Sequence, residues 1–197
     1  MNNTFHDNNL ENIESQIWEL LVQSSHSANT PFHQGNIATI NHNVPEQRTV
    51  ILRSVDISKR LLSFNTDVRS LKIEQLETNN SVSWLFYDKT LKVQLRMYAK
   101  AVVHWNDAVA ELGWEKSRLS SKMCYTTQQK SGSFIDKPEF VEVNRTDIED
   151  ELLDFARGNF AVVETQVYAI DFVFLNRNGN KRAYFDYESN HFQWRQV

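Results

Sequence analysis

Residues 48–72 read RTVILRSVDISKRLLSFNTDVRSLK, and the rest of the chain is organised around them. Thr49, Val50, Ile51 and Leu52 are β-branched or apolar, the composition of a buried strand. Residues 55–59 make a connection, and residues 61–64 read as the returning strand. Thr66 and Asp67 are helix-capping side chains placed ahead of Leu71, Ile73 and Leu76, a spacing that predicts a helix over residues 67–78. Arg69 and Lys72 then fall near the start of that helix, where the macrodipole disfavours cations. One reading is an anion docked on the free N–H groups, the hydroxyls of Thr66 and Ser70 and the nearby cations, with Arg48 and Arg53 joining from the strand. The other is a solvated basic patch, and spacing alone leaves both open.

With 197 residues the chain is long enough for a full core without staples, and one domain is expected over residues 11–197 behind a frayed segment 1–10. A formal charge of −4 and a pI near 5.9 leave no electrostatic footprint for nucleic acid. Cys124 is the single cysteine, so no internal disulfide forms, which fits a reducing cytoplasm, and it reads as a packed or semi-exposed thiol. No apolar run approaches the ~18–20 residues of a membrane-spanning helix. The N-terminal stretch MNNTFHDNNLENIESQ is too polar for a leader peptide, so a soluble cytoplasmic protein is expected.

Ile13, Ile17, Leu20 and Leu21, with Trp18, mark an amphipathic helix over residues 11–24. A polar linker leads to a short strand at 36–41, and residues 81–87 (SVSWLFY) read as a further strand. From Leu91 to Trp105 every second residue is apolar, with Lys92, Gln94, Arg96, Tyr98, Lys100 and His104 between. Such a long alternating strand bends around a barrel or crosses two sheets. Asn106 is the expected cap of a helix reaching Leu119. The polar connection at 120–138 has the length of a functional or mobile loop. Thr146-Asp147-Ile148-Glu149 is a capping box opening a helix that ends near Gly158, and its acidic run reads as water-facing carboxylates at a helix start. Residues 160–175 form two strands or one bent strand, Asn178-Gly179 signals a hairpin, and strands at 181–187 and 191–197 close the chain. Seven or eight strands and four helices give an α+β, mainly β arrangement: an antiparallel barrel with helices packed outside.

Five glycines cannot build GxGxxG or a phosphate-cradling P-loop, and HExxH, GxSxG and CxxC are missing. What remains is a basic and amide-bearing set: the strand at 48–53, the helix start at 66–72, and Gln94 with Arg96 on the long strand. Lysine and arginine neutralise phosphate, hydroxyls bond it, and a glutamine amide matches the edge of a heteroaromatic ring.

The ordered series R-T-V-I-L-R, F-N-T-D-V-R-S-L-K, V-S-W-L-F-Y-D and V-Q-L-R resembles the pyridoxamine 5′-phosphate oxidase superfamily, specifically its less characterised FMN-binding branch. The resemblance implies an antiparallel split β-barrel, FMN as cofactor, a homodimer with the flavin at the interface, and hydride transfer from a small-molecule substrate to flavin N5. It implies FMN contacts at Arg48, Thr49, Val50, Ile51, Leu52 and Arg53; at Asn65, Thr66, Ser70 and Lys72; at Gln94; and at Arg182, reaching across from the partner. Arg118, Tyr125 and Lys181 are the implied substrate anchors. The chain departs from the oxidase at Leu71, where the relatives carry arginine, and at Lys181-Arg182-Ala183-Tyr184, where they carry Arg-x-His. The resemblance therefore implies the flavin more firmly than vitamin B6 oxidation. A non-catalytic flavin- or haem-binding carrier or sensor of the same fold stands as the alternative.

Overall fold

The computed structural model describes residues 5–138, 140–143 and 148–197. The element order is α1 (Leu10–His26), β1 (Gln34–Asn41), β2 (Val44–Ile51), β3 (Ser54–Asp56), β4 (Leu61–Asp67), α2 (Leu71–Thr78), β5 (Ser81–Asp88), β6 (Val93–His104), α3 (Ala108–Lys116), α4 (Leu119–Lys122), α5 (Asp150–Asn159), β7 (Phe160–Phe174), β8 (Lys181–Asp186) and β9 (His191–Arg195). All strand pairs are antiparallel, in the order β2-β1-β5-β6-β7-β4-β3, with β8 also on β7 and β9 on β8. Among the described residues this is an antiparallel, sheet-rich α+β fold with nine strands and five α-helices.

The two ends of the strand path, β2 and β3, are separated in the chain only by Leu52 and Arg53. The Leu52 N–H donates to the His33 carbonyl beside β1 at 2.9 Å, and the Arg53 N–H donates to Ser63 of β4 at 2.8 Å. Two residues span roughly 7 Å at full extension, so the sheet must curl until its edges meet there, although β2 and β3 do not pair. The curl wraps a core in which Ile37, Leu62, Phe64, Trp84, Phe86, Leu95 and Met97 are fully buried. Ile13, Ile17, Trp18 and Leu21 of α1 join the same cluster.

The alternation in β6 appears as expected: Val93, Leu95, Met97, Ala99 and Ala101 are buried, and Gln94, Arg96 and Tyr98 lie on the opposite face. β7 is one strand, not two. Its register shifts opposite Tyr98/Ala99, which leaves Tyr168 without a β6 partner, the signature of a bulge. Residues 160–166 pair with β4, and residues 169–174 pair with β8.

Several expectations change. Segment 1–10 is not frayed over its described part: Phe5 is fully buried against Phe172, and Asn9 caps α1 by accepting from the Asn12 N–H. The second helix starts at Leu71 rather than Asp67, because Asn65, Thr66 and Asp67 stay in register with Val162, Ala161 and Phe160. Ladder hydrogen bonds there outweigh a local capping preference. Asp107, not Asn106, caps α3, accepting from the N–H groups of Val109 and Ala110, and the helix ends at Lys116. The polar connection after it contains α4 and a 3-10 turn over Met123–Tyr125. Thr146 and Asp147 of the expected capping box lie outside the described residues.

Gly35 in β1 is fixed by packing. A Cβ there would meet Phe86 Cε1 at 2.5 Å and Trp84 Cε3 at 2.8 Å, and both rings are fully buried. Gly35→Ala is expected to destabilise the fold by about 1–3 kcal/mol through overpacking, read as a lower denaturant midpoint at unchanged slope.

Candidate functional site

β4 and the turn after it deliver three polar groups to one place. Thr66 is the last residue but one of the strand, the Val68 N–H is fixed on the Asn159 carbonyl at 2.8 Å, and Ser70 stands as N-cap of α2 without a side-chain capping bond. Lys72, one residue into the helix, donates from Nζ to Thr66 Oγ1 and to Ser70 Oγ, each at 2.9 Å. Among the described residues no carboxylate pairs with this ammonium. Burial, and then the Arg48 guanidinium, pull its pKa down to about 8, against an opposing pull from Asp67. Arg48 is held beside it by Thr39 Oγ1, by Gln75 Oε1 at 3.3 Å and by Glu46 Oε2 at 3.4 Å. An uncompensated, half-buried cation between two hydroxyls is a receptor for an anion.

Arg69 is not part of that receptor. Its Nε and one terminal nitrogen bond Asp67 at 3.0 and 2.7 Å, and its terminal nitrogens also donate to the carbonyls of Gln128 and Thr127. It neutralises Asp67 and ties down a loop. That loop closes a cavity of about 400 Å³ lined by Thr66, Ser70 and Lys72 on one side and by Tyr125, Thr127 and Lys130 on the other. Tyr125 sits edge-on to Phe160 at 5.2 Å, and burial pushes its phenol pKa up, so the hydroxyl stays protonated.

The strand pleat turns Asn65 to the opposite face from Thr66. There a second cavity, about 440 Å³, is lined by Arg53, Asn65 and Arg118, with α3 as one wall. Asn65 Nδ2 donates to Ser117 Oγ at 3.3 Å. Glu164 of β7, which also lines this cavity, faces His104 Nε2 at 3.5 Å, whose Nδ1 lies 2.8 Å from Asp107.

The expected contact residues thus fall into three groups. Thr66, Ser70, Lys72 and Tyr125 share the first cavity, with Arg48 beside it. Arg53, Asn65 and Arg118 share the second. Gln94 and Arg182 line neither; they flank Val173 in one row across β6, β7 and β8. Arg182 is bonded to Asp171 at 2.9 and 2.7 Å, and Lys181 donates to the carbonyls of His6 and Asp7. The three substrate anchors, Arg118, Tyr125 and Lys181, are not brought together. Of the strand at 48–53, Thr49 is exposed and bonded to Asn36, Val50 packs against the core, and Leu52 is wholly buried, so only its backbone is available. Sequence reasoning named no residue of the loop after Tyr125; the length of that polar connection was its only signal.

Comparison with known proteins bears on the fold that carries these cavities. Residues 15–105 match the family model described as pyridoxamine 5′-phosphate oxidase, FMN-binding domain. Over that segment, somewhat under half of the chain, the sequence is similar to the pyridoxamine 5′-phosphate oxidase-like family. No curated protein matches the sequence. Among solved structures, a pyridoxamine 5′-phosphate oxidase-related, FMN-binding protein from Nostoc punctiforme superposes with TM-score 0.68 at 15% identity, covering 90% of this chain and 93% of the other. PhzG from Burkholderia lata, in complex with tetrahydrophenazine-1-carboxylic acid, gives TM-score 0.65 at 14% identity, covering 100% and 96%. A Clostridium acetobutylicum protein related to general stress protein 26 gives 0.55 at 13%, covering 88% and 98%. At these identities the structures share the fold. The matched segment contains Arg48, Thr66, Ser70 and Lys72, and the loop residues that share their cavity lie beyond it.

Lys72 makes a stability prediction independent of any ligand. Its pKa is lower in the folded protein than in the unfolded chain, so between about pH 8 and 10.5 the unfolded state binds more protons and stability rises with pH. Lys72→Met removes this group. Wild type should therefore gain on the variant by about 2 kcal/mol from pH 7.5 to 10.5, after allowance for partial exposure, measured by urea unfolding at each pH.

Proposed function

We propose that this chain is an FMN-dependent oxidoreductase on a split β-barrel, working as a homodimer on a small anionic substrate. The observation that carries the reading is Lys72: a half-buried ammonium held by two hydroxyls, with a second cation beside it and no carboxylate partner among the described residues. A flavin phosphate supplies the missing anion. Thr66 and Ser70 donate to its oxygens, Lys72 neutralises it, and Arg48 adds longer-range charge. Thr49, Val50, Ile51 and Leu52 run alongside the rest of the cofactor, and Asn65, on the reverse side of the pleat, faces the second cavity. FMN held by these residues would supply two-electron redox chemistry, as the acceptor of hydride from the substrate.

The residues outside the two cavities support the dimer. Gln94 and Arg182 stand on the exterior of the sheet, so they serve as flavin contacts only to a second copy of the chain. Arg53 and Arg118 in the second cavity hold the anionic group of the substrate, in keeping with the carboxylate-bearing ligand in PhzG. A non-catalytic flavin or haem carrier is the second reading. It is favoured by one observation: Lys181 and Arg182, at the position of the oxidase's Arg-x-His, are both spent on internal bonds.

The absorption spectrum of the purified protein, followed by FMN titration, tests the proposal. Flavin bands, or uptake of added FMN with quenched fluorescence, are expected; a Soret band selects haem, and a colourless protein indifferent to FMN sinks both readings. Lys72→Ala should weaken FMN binding by about 1.5–3 kcal/mol. Phosphate binding favours the charged form of Lys72, so wild-type affinity should fall as pH rises beyond about 8. Lys72→Ala should lose this pH dependence, and an unchanged profile would put the phosphate elsewhere.

A further inference from the structure

Leu71, next to Lys72 at the helix start, is exposed and apolar and adds no charge to the site. A flavin phosphate carries about −1.5 to −2 charges near neutral pH, more than Lys72 alone offsets. Arg69 cannot take up the remainder, because its guanidinium is committed to Asp67 and to two loop carbonyls. Arg48 is already bonded to Glu46.

We propose that Lys130 is the second phosphate cation of this site, supplied from the loop rather than from the helix. The inference rests on the flavin-phosphate reading of the Lys72 cavity and deepens it. Lys130 lines that cavity on the wall facing Ser70 and Lys72. Its Nζ pairs with Glu74 Oε1 at 3.2 Å, one helical turn beyond Ser70. That pair is solvent-exposed, with 45% of the lysine side chain and 61% of the glutamate side chain accessible, and exposed pairs contribute little. The ammonium can therefore turn from Glu74 to a phosphate oxygen at small cost. The loop is built to keep it there. Arg69 clamps the Thr127 and Gln128 carbonyls at 3.0 and 3.2 Å. The Ser133 N–H closes a turn on the Lys130 carbonyl at 3.1 Å, and Gly132 within that turn has φ +89°, a conformation side chains resist. Arg69 is thus a positioning residue, which both cancels the charge of Asp67 and anchors the strand of loop that bears Lys130.

Parallel titrations of the full-length protein with FMN and with riboflavin, which lacks the phosphate, test this. Lys130→Met should weaken FMN binding about ten-fold and leave riboflavin binding unchanged, while Lys130→Arg should keep most of the FMN affinity. Glu74→Gln, which frees Lys130, should not weaken FMN. Lys130→Met with the wild-type FMN-to-riboflavin ratio would make Lys130 a surface residue and overturn the inference. An equal loss for both ligands would assign it to loop structure and overturn the inference as well. A wild-type protein that binds both ligands equally, or neither, defeats the flavin-phosphate reading itself, a result distinct from any behaviour of the Lys130 variants.

Discussion

Two residues carry the chain from one edge of the sheet to the other. Leu52 donates its N–H to the β1 side and Arg53 donates to β4, so the sheet cannot lie flat. Everything that follows depends on that curvature. It wraps the Trp84, Phe86, Phe64 and Leu95 side chains into one core, and it brings Arg48 of β2 close enough to α2 for its charge to act on Lys72. It also leaves Arg53, one residue past the crossing, on the outside face with Asn65 and Arg118. A flat sheet with the same strands would set Arg48 and Lys72 far apart.

The electrostatics of the site follow from this placement. Burial and a neighbouring guanidinium both act against the charged form of Lys72, and Asp67 and two hydroxyls oppose them only in part. A buried charge without a full partner opposes folding. The neighbouring acid, Asp67, would have served as a partner had Arg69 not occupied it bidentately. Arg69 thereby keeps the cavity positive and fixes the loop that closes it, a coupling of charge and geometry through one side chain.

The opposite faces of β4 divide the candidate site into two chemically different halves. Thr66 points towards hydroxyls and lysine, whereas Asn65 points towards arginines and a carboxylate held by histidine. Tyr125 of the first cavity feels the charge of Arg53 in the second, and burial keeps its phenol protonated. The bulge at Tyr168 lets β7 serve β4 with its first half and β8 with its second, so the strand that lies between Gln94 and Arg182 also supplies Val162 and Glu164 to the second cavity.

Local chemistry was enough to read a strand within residues 48–51, although β2 runs from Val44 to Ile51 and leaves Leu52 and Arg53 outside it, together with the alternating strand β6 and the amphipathic helix α1. Each is a matter of period or residue type within a short window, which a sequence displays directly. The same window misplaced the start of α2, since Thr66 and Asp67 bond to β7 rather than cap the helix, and it took the N-terminal segment as frayed although Phe5 lies in the core. It gave no means of knowing that Arg69 would be spent on Asp67, that Lys130 would arrive from 58 residues further along the chain, or that Gln94 and Arg182 would lie outside both cavities. These depend on which distant strands pair and on how far the sheet curls. Those energies are summed over the whole core, and only the tertiary structure decides them.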